Sequence, residues 1–409
     1  MCRVVITGLG ILSSIGDTIE KVLFSLKNLQ SGIVFSQEMK NAGLKSNVWG
    51  PIYLKKKYSI KRTIKRFMNE STQYTYYAMK KAILDSCLSK KIYSKNSKIG
   101  LILGSGCGSI HSYLNFFKIL LLKKKVRFIT PYSSVKCMPS CSSALLGSIF
   151  KIYGRNYSIN SACSSSSNCI IHGIELIKSG VQDLIFVGGG EEVNWQLASQ
   201  FDAMGVLSSQ FNLNPKKSSR AYDQKRDGFV ISGGSGIIVL ESLKHALIRK
   251  AKIYGEIISY SSTCDGLHIT NPSKKGIIRC MTNALKNVHV SVDYLNTHGT
   301  STKIGDLIEL QAIKSSFKKK TFPFLSSTKS LTGHALGVSG VQEIIYIILM
   351  LKYNFIVPSI NIENLDFEAK NMNIVQKKIQ KNLNVVMSNN FGFGGSNTSI
   401  IIKKYKKFL

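Results

Sequence analysis

The sequence predicts an α/β protein made of two similar halves, and three observations carry that prediction. A short strand, a sharp turn of small residues and a long apolar helix follow one another around Tyr157–Asn160, Ser161-Ala162-Cys163 and the Ile170, Ile174, Ile177 stripe. The same layout recurs at Phe324–Ser327, Gly333-His334 and a helix carrying Val341, Ile344, Ile345, Ile348 and Leu349. Each reads as the core of a βαβ unit. No Pro-rich or Gly/Ser linker separates the two, so the halves, roughly 1–250 and 251–409, form one integrated unit.

The elements follow in chain order. In the first half, Arg3–Thr7, Gly100–Gly104, Leu184–Val187 and Phe229–Leu240 are rich in Val, Ile and Leu and read as buried strands. The Leu184–Val187 run ends in Gly188-Gly189-Gly190. Helical spacing covers Asp17–Leu29 and Tyr74–Ser89, while Lys55–Met68 and Ser112–Tyr132 read as basic, irregular surface insertions. In the second half the strands are Ile253–Ser261, Val292–Leu295, Val385–Asn389 and Thr398–Ile402, with helices at Gly276–Asn287 and Leu307–Phe317.

Composition excludes several classes. With 44% hydrophobic residues and no repeats, the 409-residue chain has the makeup of a folded protein. No uncharged apolar run reaches the roughly 20 residues that cross a bilayer; Ile344–Met350, soon followed by Lys352, reads as a buried helix. The N-terminus reads as a first strand and not as a signal peptide, so a cytoplasmic location is expected. Nine cysteines without C-x-x-C spacing argue against both a disulfide framework and a zinc site. The net charge of +33 raises the possibility of nucleic acid. However, only nine of the 55 basic residues are Arg, and the Lys runs (55–57, 123–125, 318–320) are short and dispersed, which fits a coding bias toward Lys.

Three side chains stand out chemically. Cys163 follows a strand and opens a helix, where free N–H groups and the helix dipole favour a thiolate. Cys169, six residues on, reads as a buried helix residue. His298 sits in a polar loop, Asn296-Thr297-His298-Gly299-Thr300-Ser301-Thr302, after a strand. His334 occupies the place in the second half that Cys163 holds in the first, and a helix N-terminus there would keep it neutral. The remaining histidines, 111, 172, 245, 268 and 289, default to structural or surface roles.

Seven ordered motifs now join these residues. They are Val5-Ile6-Thr7-Gly8-Leu9-Gly10, Ala162-Cys163-Ser164, Phe201-Asp202-Ala203-Met204-Gly205, Arg226-Asp227-Gly228-Phe229, the T-H-G-T-S-T loop, Lys329 before Gly333-His334, and Phe391-Gly392-Phe393-Gly394-Gly395-Ser396-Asn397. With them the chain resembles the 3-oxoacyl-[acyl-carrier-protein] synthases, most closely the bacterial type I enzymes, over nearly its whole length. The resemblance implies a thiolase-like fold of five layers, α-β-α-β-α, a homodimer, and a Cys-His-His site with Cys163 as nucleophile and His298 and His334 as its partners. It places Lys329 in support of His334. It puts Asp306 and Glu309 in acidic supporting positions, Thr300 and Thr302 against a phosphopantetheine arm, and Phe391 and Phe393 in a mobile gate. Arg62, Arg66, Lys124 and Arg127 fall at carrier-protein docking positions, and Glu343 with Ser388-Asn389 where some relatives hold a monovalent cation. For Glu309 a buried salt bridge is at least as good a reading as a direct acid/base role.

The implied reaction explains why these groups are needed. A thiolate takes the acyl group from a thioester, with backbone N–H groups of Cys163 and Phe393 receiving the oxyanion. Malonyl thioester then loses CO2, and two neutral histidine N–H donors hold the enolate oxygen. No metal or redox cofactor is required. Acidic acyl carrier protein is the expected partner, toward which a basic rim would steer it; nucleic acid and membrane insertion are not expected. A type II synthase, differing in chain-length preference, is the neighbouring reading. Departures from the family pattern bear on that preference: the serine run Ser164–Ser167, Cys107 within Gly104–Gly108, and Gly233-Gly234-Ser235-Gly236 without an acidic residue.

Overall fold

In the computed structural model, residues 2–54, 60–318 and 320–406 are described. The basic run Lys55-Lys56-Lys57 and Lys319 lie outside them. Ten strands line up in chain order as β1 (Val4–Leu12), β2 (Ile99–Gly104), β3 (Asn156–Ile159), β4 (Leu184–Glu191), β5 (Gly234–Ser242), β6 (Gly255–Cys264), β7 (Tyr294–Asn296), β8 (Phe324–Ser326), β9 (Val385–Gly392) and β10 (Ser396–Lys403). The principal helices are α1 (Glu70–Asp85), α2 (Ile110–Lys123), α3 (Ser165–Lys178), α4 (Lys274–Leu285), α5 (Lys303–Ser316) and α6 (Ser339–Tyr353).

The duplication is visible in the strand order. Outward from the centre, one side runs β1-β5-β4-β2-β3 and the other β6-β10-β9-β7-β8, the same permutation of five strands in each half. The directions repeat too: the two inner pairings are antiparallel and the two outer ones parallel on both sides. The two sets meet only where Val4–Ile6 of β1 pairs antiparallel with Gly255–Ile257 of β6. Helix α1 packs on the outer face of the first set and α4 on that of the second, with α5 beside α4 and sharing its apolar cluster. Helices α3 and α6 touch each other and both sets, forming the middle of five layers.

Their sequences explain that position. Helix α6 is buried from Ser339 to Leu351 on every side, because it has sheet or helix on all faces. Residues Leu336–Tyr353 form a helical stretch long and apolar enough to cross a membrane, but 89% of it is enclosed by the protein's own core. The largest core cluster joins Ile170, Ile174 and Ile177 of α3 to Ile344, Ile345 and Ile348 of α6. At about 25 cal/mol per Å2 of apolar surface, such central side chains stabilise by roughly 2 kcal/mol each.

Two expectations need correction. The Phe229–Leu240 run is not one strand: Ile231–Ser232 pairs with a separate small sheet and β5 starts only at Gly234. Gly234 has φ +113, and a Cβ there would lie 2.3 Å from the Leu12 carbonyl oxygen, so the chain turns where no side chain fits. The Ser112–Tyr132 insertion is not irregular, since most of it is helix α2, capped by the Ser109 hydroxyl.

Candidate active site

The turn after β3 delivers Cys163. Ala162 takes a left-handed φ of 49, and the turn is tied by Ser165 Oγ accepting from the Ser161 amide at 2.9 Å. In the second half the segment after β8 delivers His334, whose preceding Gly333 has φ 71 and so accommodates the reversal. His334 Nε2 stands 3.2 Å from Cys163 Sγ. The His298 ring lies 5.3 Å from that of His334 and nearly perpendicular to it, and 5.7 Å from Phe391. Cys163, His298, His334, Thr300, Thr302, Phe391 and Phe393 thus line one cavity of about 470 Å3.

Burial governs the electrostatics. It pushes the Cys163 thiol up to about 12, while the Lys329 charge and the amides of Phe393 and Cys163 pull the other way. Burial therefore opposes the thiolate expected from the helix terminus, and α3 begins only at Ser165, two residues beyond Cys163. Burial, and then the nearby positive charge of Lys329, hold both His298 and His334 well below the usual histidine range. Both rings are neutral at pH 7 and able to donate. The neutrality of His334 comes from burial and Lys329 and not from a helix end, because α6 starts five residues later at Ser339.

Supporting residues form a shell behind the cavity. Lys329 is buried away from the cavity lining and paired with the carboxylate of Glu343, whose other oxygen accepts from Asn390 Nδ2 at 2.6 Å. Glu343 is thus already neutralised by an ammonium. Ser388 Oγ is buried without a hydrogen-bond partner, as are the Nδ2 atoms of Asn389 and Asn296, among the described residues. Glu309 accepts from the amides of His298 and Gly299, both at 2.8 Å, so it clamps the loop, and it forms no salt bridge among the described residues. Asp306 accepts from the Ser301 and Tyr222 amides and lies 3.5 Å from Arg226. Burial pushes Glu309 up to about 7 and Asp306 to about 6. The hydroxyls of Thr300 and Thr302 are 3.0 Å apart on the cavity wall.

The Phe391–Asn397 segment, the expected gate, lines the cavity. Gly394 and Gly395 have φ of 79 and 71, which only glycine adopts readily, and Phe393 is over a third exposed while Phe391 is buried. The Gly394 amide donates to the Ile269 carbonyl at 2.6 Å and Asn397 Nδ2 to Asp265 at 2.6 Å, tying the gate to a second loop. Arg62, Arg66, Lys124 and Arg127 do not line the cavity; all four are exposed. The two segments that carry them meet where Phe67 stacks on Tyr132 and Arg66 covers both rings.

Some site residues were not read from the sequence. His268, given a structural or surface default from sequence, is exposed and borders the cavity, its Nδ1 accepting from the Thr270 and Asn271 amides. Glu191 binds the amides of Gly106 and Gly337 and the Ser105 hydroxyl, joining the glycine-rich loop to the His334 segment. A carboxylate directly after Gly188-Gly189-Gly190 in an apolar strand was the available signal.

This geometry suits acyl transfer through a thiol followed by stabilisation of an oxyanion by neutral donors. Comparison with known proteins agrees. Residues 1–246 match the beta-ketoacyl synthase N-terminal domain and residues 254–363 its C-terminal domain. The chain is 56% identical over 407 residues, covering 99% of it and all of the relative, to a protein named 3-oxoacyl-[acyl-carrier-protein] synthase 1 from Buchnera aphidicola subsp. Schizaphis graminum. It is 48% identical over 406 residues to the protein of that name from Escherichia coli, covering 99% of this chain and all of the relative. A beta-ketoacyl synthase crystal structure from Burkholderia phymatum superposes with a TM-score of 0.93 at 30% identity, covering 99% of this chain and all of that one. That likeness confirms the thiolase-like architecture expected from the motifs, and the chain belongs to the beta-ketoacyl synthase family.

Proposed function

We propose that this chain catalyses the decarboxylative condensation of an acyl group with malonyl-[acyl-carrier-protein], extending a fatty acid by two carbons in the manner of a type I 3-oxoacyl-[acyl-carrier-protein] synthase. The observation that carries it is the convergence of Cys163 Sγ, 3.2 Å from His334 Nε2, with the His298 ring nearly at right angles to that of His334 in one cavity. As the Cys163 sulfur bonds to the acyl carbon, the C–S bond to the carrier breaks and the carrier thiolate leaves with the Cys163 proton as a free thiol; the Cys163 and Phe393 amides receive the oxyanion in between. His298 and His334, kept neutral, donate to the enolate oxygen that forms as CO2 leaves the malonyl group. The resulting carbanion attacks the acyl carbon on Cys163, breaking its C–S bond to give the 3-oxoacyl product and a Cys163 thiolate that takes up a proton from solvent. Lys329 and Glu343 hold the field behind the two rings, while Glu309 and Asp306 fix the His298 loop. Thr300 and Thr302 receive the pantetheine arm, and Phe391 and Phe393 gate it. No cofactor enters this scheme. The type I reading is preferred to type II because the close full-length relatives carry the type I name.

Acyl carrier protein is the partner, docking on the basic surface of Arg62, Arg66, Lys124 and Arg127. The chain divides near residue 250 into a nucleophile half and a histidine half, works in the cytoplasm and pairs as a homodimer. The pairing is supported by the unpaired outer edge of β3 and by Phe117, Leu121, Leu122 and Val126, all exposed on or just after α2.

Mass spectrometry tests the central claim. Incubated with an acyl carrier thioester, the protein gains one acyl mass on Cys163, and Cys163→Ala gains none. Absence of the adduct from the unaltered protein would sink the enzyme reading.

A further inference from the structure

His334 makes one side-chain hydrogen bond besides its contact with Cys163. Its Nδ1 lies 2.8 Å from the Ser339 hydroxyl, at the first residue of α6, and both residues are almost fully buried. No backbone amide or carbonyl reaches Nδ1 among the described residues, so this hydroxyl alone contacts the inner nitrogen. Phe229 and His298 both pack against the ring, each with its centroid 5.3 Å away and its plane steeply inclined.

A neutral imidazole carries one N–H, and which nitrogen bears it depends on what the other meets. When the Ser339 hydroxyl donates to Nδ1, the proton sits on Nε2, the nitrogen that faces Cys163 Sγ. Resting on the condensing reading above, that tautomer is the one the enolate needs, because after acylation Sγ has no proton and only an Nε2–H can donate. His298 has no such arrangement: its Nδ1 is buried without a hydrogen-bond partner among the described residues. We propose that Ser339 is a positioning residue that sets the Nε2–H tautomer of His334 for malonyl decarboxylation. It touches no substrate and acts only through the ring.

Ser339→Ala tests this. It removes one oxygen at a helix start where Ala is a good helix former, so the fold should tolerate it. Single-turnover acylation of Cys163 stays within about twofold of the unaltered protein, because the thiol chemistry does not use Nδ1. Malonyl decarboxylation falls about tenfold, the scale of one hydrogen bond that orients a donor. Nitrogen NMR of 15N-histidine-labelled acyl-enzyme shows the His334 signals moving away from the Nε2–H pattern. Ser339→Thr, which keeps a γ-hydroxyl, restores both decarboxylation and the Nε2–H pattern. Equal loss of acylation and decarboxylation in the Ala variant would mark a packing role and overturn the proposal. An unchanged tautomer or unchanged decarboxylation would overturn it as well. If the unaltered protein itself forms no acyl adduct, the condensing reading fails and takes this inference with it. If it condenses and the Ala variant matches it, only the role of Ser339 is wrong.

Discussion

At the residue scale, Cys163 is more deeply desolvated than a helix-start cysteine would suggest. With its thiol pushed to about 12 by burial, the free enzyme should react with iodoacetamide about tenfold faster per pH unit up to pH 9. A rate that levels off below pH 8 would show a thiolate already present and overturn that account. His298→Ala should leave acylation of Cys163 nearly intact while lowering malonyl decarboxylation by about 100-fold, the usual loss for one oxyanion donor. Full condensation by that variant would remove His298 from the donor pair. Glu309 gives a pH prediction whose sign follows from its shift. Its folded value of about 7 is above the ordinary 4.5, so its contribution to stability is present below pH 4.5 and is lost as pH rises toward 7. Relative to Glu309→Gln, the unaltered protein should therefore lose up to about 3 kcal/mol in urea unfolding across that window. A gain with rising pH would contradict the desolvation argument.

The element scale concerns turns and loops, because the site is built from strand ends. The gate illustrates how two adjacent glycines differ. Both have positive φ, but a Cβ at Gly394 meets nothing within 4 Å, whereas one at Gly395 would lie 2.5 Å from Asp265 Cβ. Gly394→Ala should lose about 1 kcal/mol from conformation alone. Gly395→Ala should lose more and slow turnover, because it also drives the gate away from the Asp265 loop. Equal effects in denaturant midpoint and kcat would show that the Asp265 contact is unimportant. Much of this scale was legible beforehand. Helical spacing located α3, α4, α5 and α6, and the two small-residue turns marked where Cys163 and His334 emerge. Helix α2 was legible as well, since Tyr113, Leu114, Phe117 and Leu121 recur on one helix face; the structure leaves that face exposed.

For the whole molecule, the excess of positive charge is spread over the surface, and its effect on a partner is a matter of range and screening. If acidic carrier protein docks on the proposed basic face, KM for the carrier substrate should rise steeply between low and 0.3 M salt while kcat changes little. Arg66→Glu combined with Arg127→Glu should reproduce that rise at low salt. Unaltered KM in the double variant would place docking elsewhere. Only the complete fold sets the two halves so that β3 and β8, far apart in the ten-stranded sheet, send their turns back to one cavity through the paired helices α3 and α6.

The chain by itself determined the α/β class and the duplicated strand–turn–helix layout, and it marked the turns that carry Cys163 and His334, while the motifs shared with the family singled out the trio with His298. Local patterns are enough for these: periodicity reports which face is buried, and small residues report where the backbone must turn sharply. What only the tertiary structure decided is which groups meet across hundreds of residues. Lys329 faces Glu343, Glu309 clamps the His298 loop, Glu191 joins Gly106 to Gly337, and Ser339 holds His334. None of these pairings has a spacing signature, because each depends on packing between separate elements. Burial likewise comes from the whole core, and burial raised the Cys163 thiol while keeping both histidines neutral.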